Sequence, residues 1–204
     1  MSATRLLVLG VVRMYGQAHG YQVRRELLTW SADKWGNAAP GSIYHALKKM
    51  AREKLLEEVD AGEEGRGPDR TAYQLTPDGE TEFQVLLAKS LSEYDDSTQA
   101  GYALAAAVTF LTALPRARAI SLLRHRINQM EGTRTTVSSV LEHGVDWGHP
   151  PHVNELYRLW DTSLDAVLRW TRDLVSRLEA GEYVMADDAP GAFGQPGARP
   201  ASQI

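Results

Sequence analysis

Apolar residues recur with a helical period through most of the first 54 positions of the chain. A dense apolar run over residues 4–13 predicts a short helix, and the spacing within 21–30 predicts a second. Residues 16–20 are typical of a turn, and the Gly, Asn and Pro residues of 36–41 end the second helix. A third helix is predicted from residue 42 to about residue 54.

This third helix has two chemically different sides. Ser42 is expected to be its N-cap, because a serine hydroxyl can accept one of the free N–H groups of the first turn. The side predicted to face the core is formed by Ile43, Ala46, Leu47, Met50 and Ala51. The opposite side carries His45, Lys48, Lys49 and Arg52.

The hydrophobic period changes after residue 54. Residues 55–60 and 71–76 alternate between apolar and polar, and turn-forming residues fill 62–69 between them. This pattern predicts an antiparallel hairpin with a loose tip. Thr76 as N-cap and Pro77 at the first helical position then predict a helix that reaches about residue 94.

Beyond residue 95 the pattern is helical. Residues 103–114 are apolar nearly all round and should be buried. Two seams, in which apolar positions step by three and four residues, predict two helices packed on each other at a shallow angle. The seam positions are Ile120, Leu123, Ile127, Met130, Arg134, Val137 and Leu141, and then Val153, Tyr157, Trp160, Leu164, Val167, Thr171, Leu174 and Leu178.

Together these elements predict a mainly α fold with a small β-hairpin. Three helices followed by a two-stranded hairpin are the order of a winged helix-turn-helix domain, which we place at residues 1–80. A helical, coiled-coil-like domain is predicted over 81–184. The Gly, Pro and Ala residues of 185–204 offer little to bury and predict a disordered tail.

Composition narrows the class of protein. The 204 residues include no cysteine, which excludes disulfides, thiolate zinc sites and a cysteine nucleophile. The longest uncharged apolar stretch has 14 residues, short of the roughly 18 that span a bilayer. We find no signal peptide pattern, so the expected location is cytoplasmic, with no membrane partner.

The net charge of −4 is distributed unevenly. Residues 1–76 hold 11 Lys and Arg against 9 Asp and Glu, a net charge of +2, and residues 77–204 carry −6. A mildly basic N-terminal region on an acidic remainder favours a local contact with nucleic acid.

Several motifs of the N-terminal region resemble the PadR family of bacterial transcriptional regulators. They are His19–Gly20–Tyr21, residues 40–50 (PGSIYHALKKM), Leu55–Leu56–Glu57, and residues 70–79 (RTAYQLTPDG). The resemblance is close over residues 6–87 and looser over 114–180, where the chain is similar to the long PadR subgroup. His45 stands where the family commonly has proline, and the wing carries the acidic Glu63 and Glu64.

The resemblance implies a homodimer that binds double-stranded, palindromic operator DNA, with residues 81–184 as the dimerisation and effector domain. It also implies repression, with release by a small and often aromatic effector. We therefore expect a sequence-specific transcriptional regulator. An alternative is a winged-helix scaffold for protein interactions without operator recognition, which the acidic net charge and acidic wing favour.

The DNA-contacting residues are expected on the third helix, at the start of the second helix and in the wing. They are Tyr21, Gly41, Ser42, Tyr44, His45, Lys48, Lys49, Arg66 and Arg70. A helix N-terminus near Gly41 can bind phosphate, and early positions of a recognition helix reach deepest into the groove. The alternative for this set is a solvated polar face, and for Tyr21 a tyrosine that packs the turn.

Aromatic residues of the C-terminal region are candidates for an effector site. They are Trp147, Tyr157, Trp160 and Trp170. Arg134 is a candidate counter-ion for an acidic effector. Tyr157 and Trp160 lie on a helical seam, which favours dimer core for these two.

No catalytic residue, cofactor or metal is expected. The chain contains no phosphate-binding loop, no dinucleotide motif and no hydrolase or metalloprotease motif. A metal site at His143, Asp146, His149 and His152 is a weaker alternative to a solvated loop, because their spacing matches no recognised site.

Overall fold

The computed structural model describes residues 3–36, 38–60, 71–143, 148, 150–189 and 191–192. The N-terminal part contains α1 (Ala3–Tyr15), β1 (Gln17–His19), α2 (Gly20–Thr29), α3 (Ala32–Trp35), α4 (Pro40–Arg52), β2 (Leu56–Asp60) and β3 (Thr71–Leu75). It is followed by α5 (Pro77–Ser92), α6 (Thr98–Thr109), a 3₁₀ turn (Leu111–Ala113), α7 (Arg116–His143), a second 3₁₀ turn (Pro151–Val153) and α8 (Asn154–Glu179). The predicted fold class, a winged helix-turn-helix followed by a helical region, is confirmed.

The β-sheet has three strands, one more than the hairpin predicted from the sequence. β3 lies in the middle, with β1 on one side and β2 on the other, and both pairings are antiparallel. Residues 16–20, expected to be a turn, contain β1, whose Gln17 pairs with Gln74 of β3. A strand of three residues is too short for alternation to be recognised, and only its pairing with β3 defines it.

Helix α1 lies in the centre of the fold. Leu6, Leu7, Val8, Leu9 and Val11 are all buried, so the helix is covered on nearly every side. It contacts α2, α4 and β3 of the N-terminal part, and also α5 and α6. A helix that is apolar all round is stable in water only with neighbours on all sides.

Helices α7 and α8 form an antiparallel pair. Leu123, Ile127 and Met130 of α7 and Leu164, Thr171, Leu174 and Leu178 of α8 are buried, as the two seams predict. The seam prediction is wrong for Trp160, which is 46% exposed. Ion pairs cross the pair at Arg124–Glu179 and Arg172–Glu131, 2.6 Å each. Among the described helices, none is both long and apolar enough to cross a bilayer.

The structure differs from the prediction at the start of the tail. Met185 is fully buried, although residues 185–204 were expected to be disordered. Arg116 holds this segment in place: its guanidinium donates to the carbonyls of Leu178 and Tyr183, at 2.8 and 2.7 Å, and pairs with Asp188. The backbone N–H of Ala186 donates to the Leu114 carbonyl at 3.2 Å. Composition could not reveal these contacts, because they depend on where the ends of α7 and α8 meet.

The contact between α1 and α6 predicts a position that tolerates no side chain. A Cβ atom on Gly10 would lie 2.3 Å from the ring of Phe110, which is itself fully buried. We expect Gly10→Ala to lower the free energy of unfolding by about 1–3 kcal/mol through overpacking. Urea denaturation measures this difference.

The matched control is Gly132→Ala on α7, where a Cβ would meet nothing within 4 Å. Because alanine is the better helix former, this variant should be stabilised by up to about 1 kcal/mol. Equal stability of the two variants would contradict the close packing of α1 on α6.

Candidate nucleic-acid interface

Helix α4 separates its apolar and polar residues onto opposite sides. Ile43, Leu47 and Met50 are at most 1% exposed and anchor the helix on the core. The other side carries His45, Lys48, Lys49 and Arg52, all exposed. Gly41 is also exposed, whereas Ser42 and Tyr44 are half-buried. This amphipathic pattern fixes which side of α4 faces a partner.

The start of α4 differs from the sequence prediction. The N-cap is Ala39 and Pro40 occupies the first turn, so the assignment of Ser42 as N-cap is wrong. The Ser42 hydroxyl instead donates to the Ala39 carbonyl at 2.7 Å. Proline at the first helical position needs no hydrogen bond for its nitrogen, which lets the helix begin earlier.

Helix α2 packs directly on the first half of α4. A Cβ on Gly20 would lie 2.7 Å from the Tyr44 ring, so only glycine allows this approach. The neighbouring Tyr21 is 45% exposed and its ring stacks on His19, with ring centres 5.5 Å apart. Tyr21 and Tyr44 therefore lie on two helices that meet at Gly20.

Both arginines of α1 are neutralised by carboxylates. Arg5 pairs with Glu53 and Glu82 at 2.5 and 2.8 Å, and Arg13 pairs with Glu80 at 2.8 Å. On α4 itself, Lys49 reaches Glu53 only at 3.9 Å. Because both arginines are paired, their charges add little to the electrostatic attraction of an anionic partner.

The cations on the outer sides of α2 and α4 are different. Within the ranges that the structure describes, no carboxylate oxygen comes within 4.0 Å of a charged nitrogen of Arg24, Lys48 or Arg52. All three side chains are exposed. They form an un-neutralised cationic surface, which we call the α2–α4 surface, on a chain whose net charge is negative.

Sequence reasoning missed Arg24. Arg24 lies on α2, one turn after Gly20 and Tyr21 and on the side toward α4. The next residue, Arg25, instead interacts with the Tyr15 hydroxyl at the end of α1. The pKa of that hydroxyl is raised, first by burial and then by its hydrogen bond to Glu26, and Arg25 opposes the rise. The sequence could have indicated Arg24, because it follows Tyr21 by three residues and therefore lies on the same side of the helix.

Three predicted site residues lie outside the described residues. They are Arg66 and Arg70 of the wing and Trp147 of the connection between α7 and α8.

The remaining effector candidates are not brought together. Arg134 is bracketed by Asp161 and Asp165, at 3.3 and 2.9 Å, so two carboxylates already neutralise it. Trp160 is 46% exposed and meets Tyr157 edge to face, with ring centres 5.3 Å apart. Trp170 lies farther along α8 and is 38% exposed.

Trp170 lines an open apolar groove of about 580 Å³ between α6 and α8. Trp35 of α3 stands at the groove as well, and its indole N–H donates to the Trp30 carbonyl at 2.7 Å. The other principal walls are Leu104, Ala105, Val108, Ala166 and Val167. No lining residue is charged, which suits a flat apolar occupant.

Comparison with known proteins agrees with the winged-helix fold of the N-terminal region. Residues 8–85 match the model of the transcriptional regulator PadR-like family. No curated protein sequence matches the chain.

Two solved structures are similar. One is Bacillus subtilis PadR in complex with operator DNA, at 16% identity and a TM-score of 0.39, covering 85% of this chain and 98% of that one. The other is Bacillus subtilis PadR in complex with p-coumaric acid, at 16% identity and a TM-score of 0.37, covering 87% and 96%.

The order of the N-terminal elements and the cationic outer side of α4 define a winged-helix domain, a class that often binds DNA through its third main helix. More particularly, residues 8–85 match the PadR-like family model, and the resemblance predicted from the sequence is confirmed over that range.

Proposed function

We propose that this protein is a homodimeric repressor that binds palindromic operator DNA and leaves it when a small effector binds. The observation that carries the proposal is the α2–α4 surface, where cations stay un-neutralised although carboxylates are abundant elsewhere in the chain. An exposed cationic helix anchored by an apolar side suits the major groove of a duplex.

The residues of this surface have different roles in the proposal. His45 and Lys48 read base edges, because they lie on the exposed side of α4. Tyr21, Gly41, Ser42, Tyr44 and Lys49 contact the phosphate backbone, with Arg66 and Arg70 of the wing. To these we add Arg24 on α2, since the first helix of this motif crosses the backbone.

The effector site belongs in the groove between α6 and α8. Its uncharged lining and the flat faces of Trp35 and Trp170 favour a neutral aromatic compound. An effector shifts the dimer away from DNA only by binding one geometry more tightly than the other.

The first prediction of this proposed function concerns operator recognition. The double variant Lys48→Ala, Tyr44→Phe removes one base contact and one hydroxyl while keeping the tyrosine ring against Gly20. We expect at least a roughly tenfold loss of affinity for the protein's own promoter fragment in a mobility-shift assay. Lys89→Ala, on the exposed side of α5, is the control and should bind normally. Unchanged binding by the double variant would favour the scaffold function.

The second prediction separates Arg24 from its neighbour. Arg24→Ala should weaken binding equally on operator and unrelated DNA and reduce the salt slope by about one, as the loss of one phosphate contact requires. Arg25→Ala should leave the slope unchanged, because that side chain is directed to Tyr15. The same slope for both variants and the unmodified protein would remove Arg24 from the interface.

The third prediction tests the effector site with a panel of neutral and carboxylated aromatic compounds. A neutral compound should change tryptophan fluorescence and release DNA, and Trp170→Phe should abolish both effects. Arg134→Gln should change neither, because Asp161 and Asp165 already occupy the arginine. Loss of response in Arg134→Gln, with a carboxylated ligand, would instead place the effector at Arg134.

A further inference from the structure

The outer side of α4 carries a line of exposed positions at helical spacing. Gly41, His45, Lys48 and Arg52 follow one another by four, three and four residues, which places them on one side of the helix. All four positions are exposed. Because the opposite side of α4 is buried in the core, the helix cannot rotate to present a different line of residues.

Gly41 lets the backbone of α4 come close to a partner. A Cβ atom on Gly41 would meet nothing within 4 Å, so no contact in the described part of the chain requires a glycine here. Gly20 is the contrasting case, because its Cβ would lie 2.7 Å from the Tyr44 ring. Glycine is a weak helix former compared with alanine. A duplex against the first turn of α4 accounts for a glycine that the fold itself does not need.

The side chains along this line are mainly hydrogen-bond donors. Lys48 and Arg52 have donors only, and the neutral His45 ring donates from one nitrogen in either tautomer. Residues 40–52, all of which the structure describes, include no Asp, Glu, Asn or Gln. The line therefore lacks the amide and carboxylate groups that read adenine and cytosine.

The pattern of donors and acceptors in the major groove then selects the base. Guanine presents two acceptors, N7 and O6, whereas adenine presents an acceptor beside a donor, and cytosine presents a donor. Thymine presents an acceptor beside a methyl group, but within α4, which is described in full, no apolar side chain after Pro40 is exposed to contact that methyl. A row of donors thus matches guanine better than the other three bases.

The spacing of His45 and Lys48 suits neighbouring base pairs. Three residues along a helix rise about 4.5 Å, and successive base pairs are about 3.4 Å apart. Among the described residues, none holds either side chain by a hydrogen bond or brings a carboxylate oxygen within 4.0 Å of it.

We propose that α4 reads guanine at two neighbouring base pairs of each operator half-site, one through Lys48 and one through His45. The proposal rests on the operator binding of the proposed function and specifies the bases that are recognised. His45 makes this reading particular to the present chain. Proline, which commonly stands at this position in the PadR family, has no side-chain donor. The second guanine contact is therefore not a consequence of the family resemblance.

Selection of bound duplexes from a pool of random sequence tests the inference directly. We expect a half-site, repeated with two-fold symmetry, in which two neighbouring base pairs each keep a guanine. Replacing these guanines by 7-deazaguanine, which lacks the N7 acceptor, should weaken binding roughly tenfold or more in a mobility-shift assay. 7-Deazaadenine at the adenines of the same half-site should have little effect. Binding that tolerates 7-deazaguanine would overturn the proposal.

Three single variants assign the two contacts. Lys48→Ala should relax the preference for guanine at one of the two base pairs, and His45→Ala at the other. Lys49→Ala is the matched control, because it removes an exposed cation of the same helix outside this line. It should weaken binding equally to every duplex and keep both preferences. If the first two variants behave like this control, both side chains contact phosphate and the guanine reading is overturned.

The selection also separates this inference from the proposed function. A defined half-site without guanine at these base pairs would reject the guanine reading and leave operator binding in place. A pool from which no common sequence emerges would reject both.

Discussion

Packing of α1 in the centre of the molecule is the constraint on which the rest of the structure depends. Its buried residues contact the helices and strand of the winged domain on one side and α5 and α6 on the other. The approach of Phe110 to Gly10 brings α6 onto α1 so closely that no side chain fits between them. The winged domain and the helical region therefore share one hydrophobic core, and α4 is held with its cationic side outward.

Charge neutralisation is selective around this core. Arginines on α1 are bound by carboxylates of α4 and α5, which ties the helices together at their surface. Such partly exposed pairs contribute little stability individually. Their larger consequence is electrostatic, because Arg24, Lys48 and Arg52 on the outer sides of α2 and α4 have no such partner among the described residues. A negatively charged protein thus retains a local cationic surface there.

An aromatic chain connects the groove to the winged domain. Trp35 at the groove binds the carbonyl of Trp30, whose ring meets Phe110 at 6.0 Å, and Phe110 meets Phe83 at 5.7 Å. Trp35 is the last residue of α3, the short helix between α2 and α4, and Trp30 lies just before that helix. Close-packed rings transmit displacement because the core is barely compressible. These contacts therefore join the groove between α6 and α8 to the short helix that precedes α4.

The sequence alone determined the order of the longer helices, the two sides of α4 and the buried part of the seams of α7 and α8, because each depends on a local period of apolar residues. It also carried the PadR-like motifs, each of which is a short run of neighbouring residues. Contacts between distant segments were decided only by the tertiary structure. Strand β1 exists through its pairing with β3, Met185 is buried because Arg116 anchors its segment, and Arg134 is neutralised because α8 brings two aspartates to it. A periodic pattern specifies which side of an element is buried, but only the assembled chain specifies which neighbour buries it.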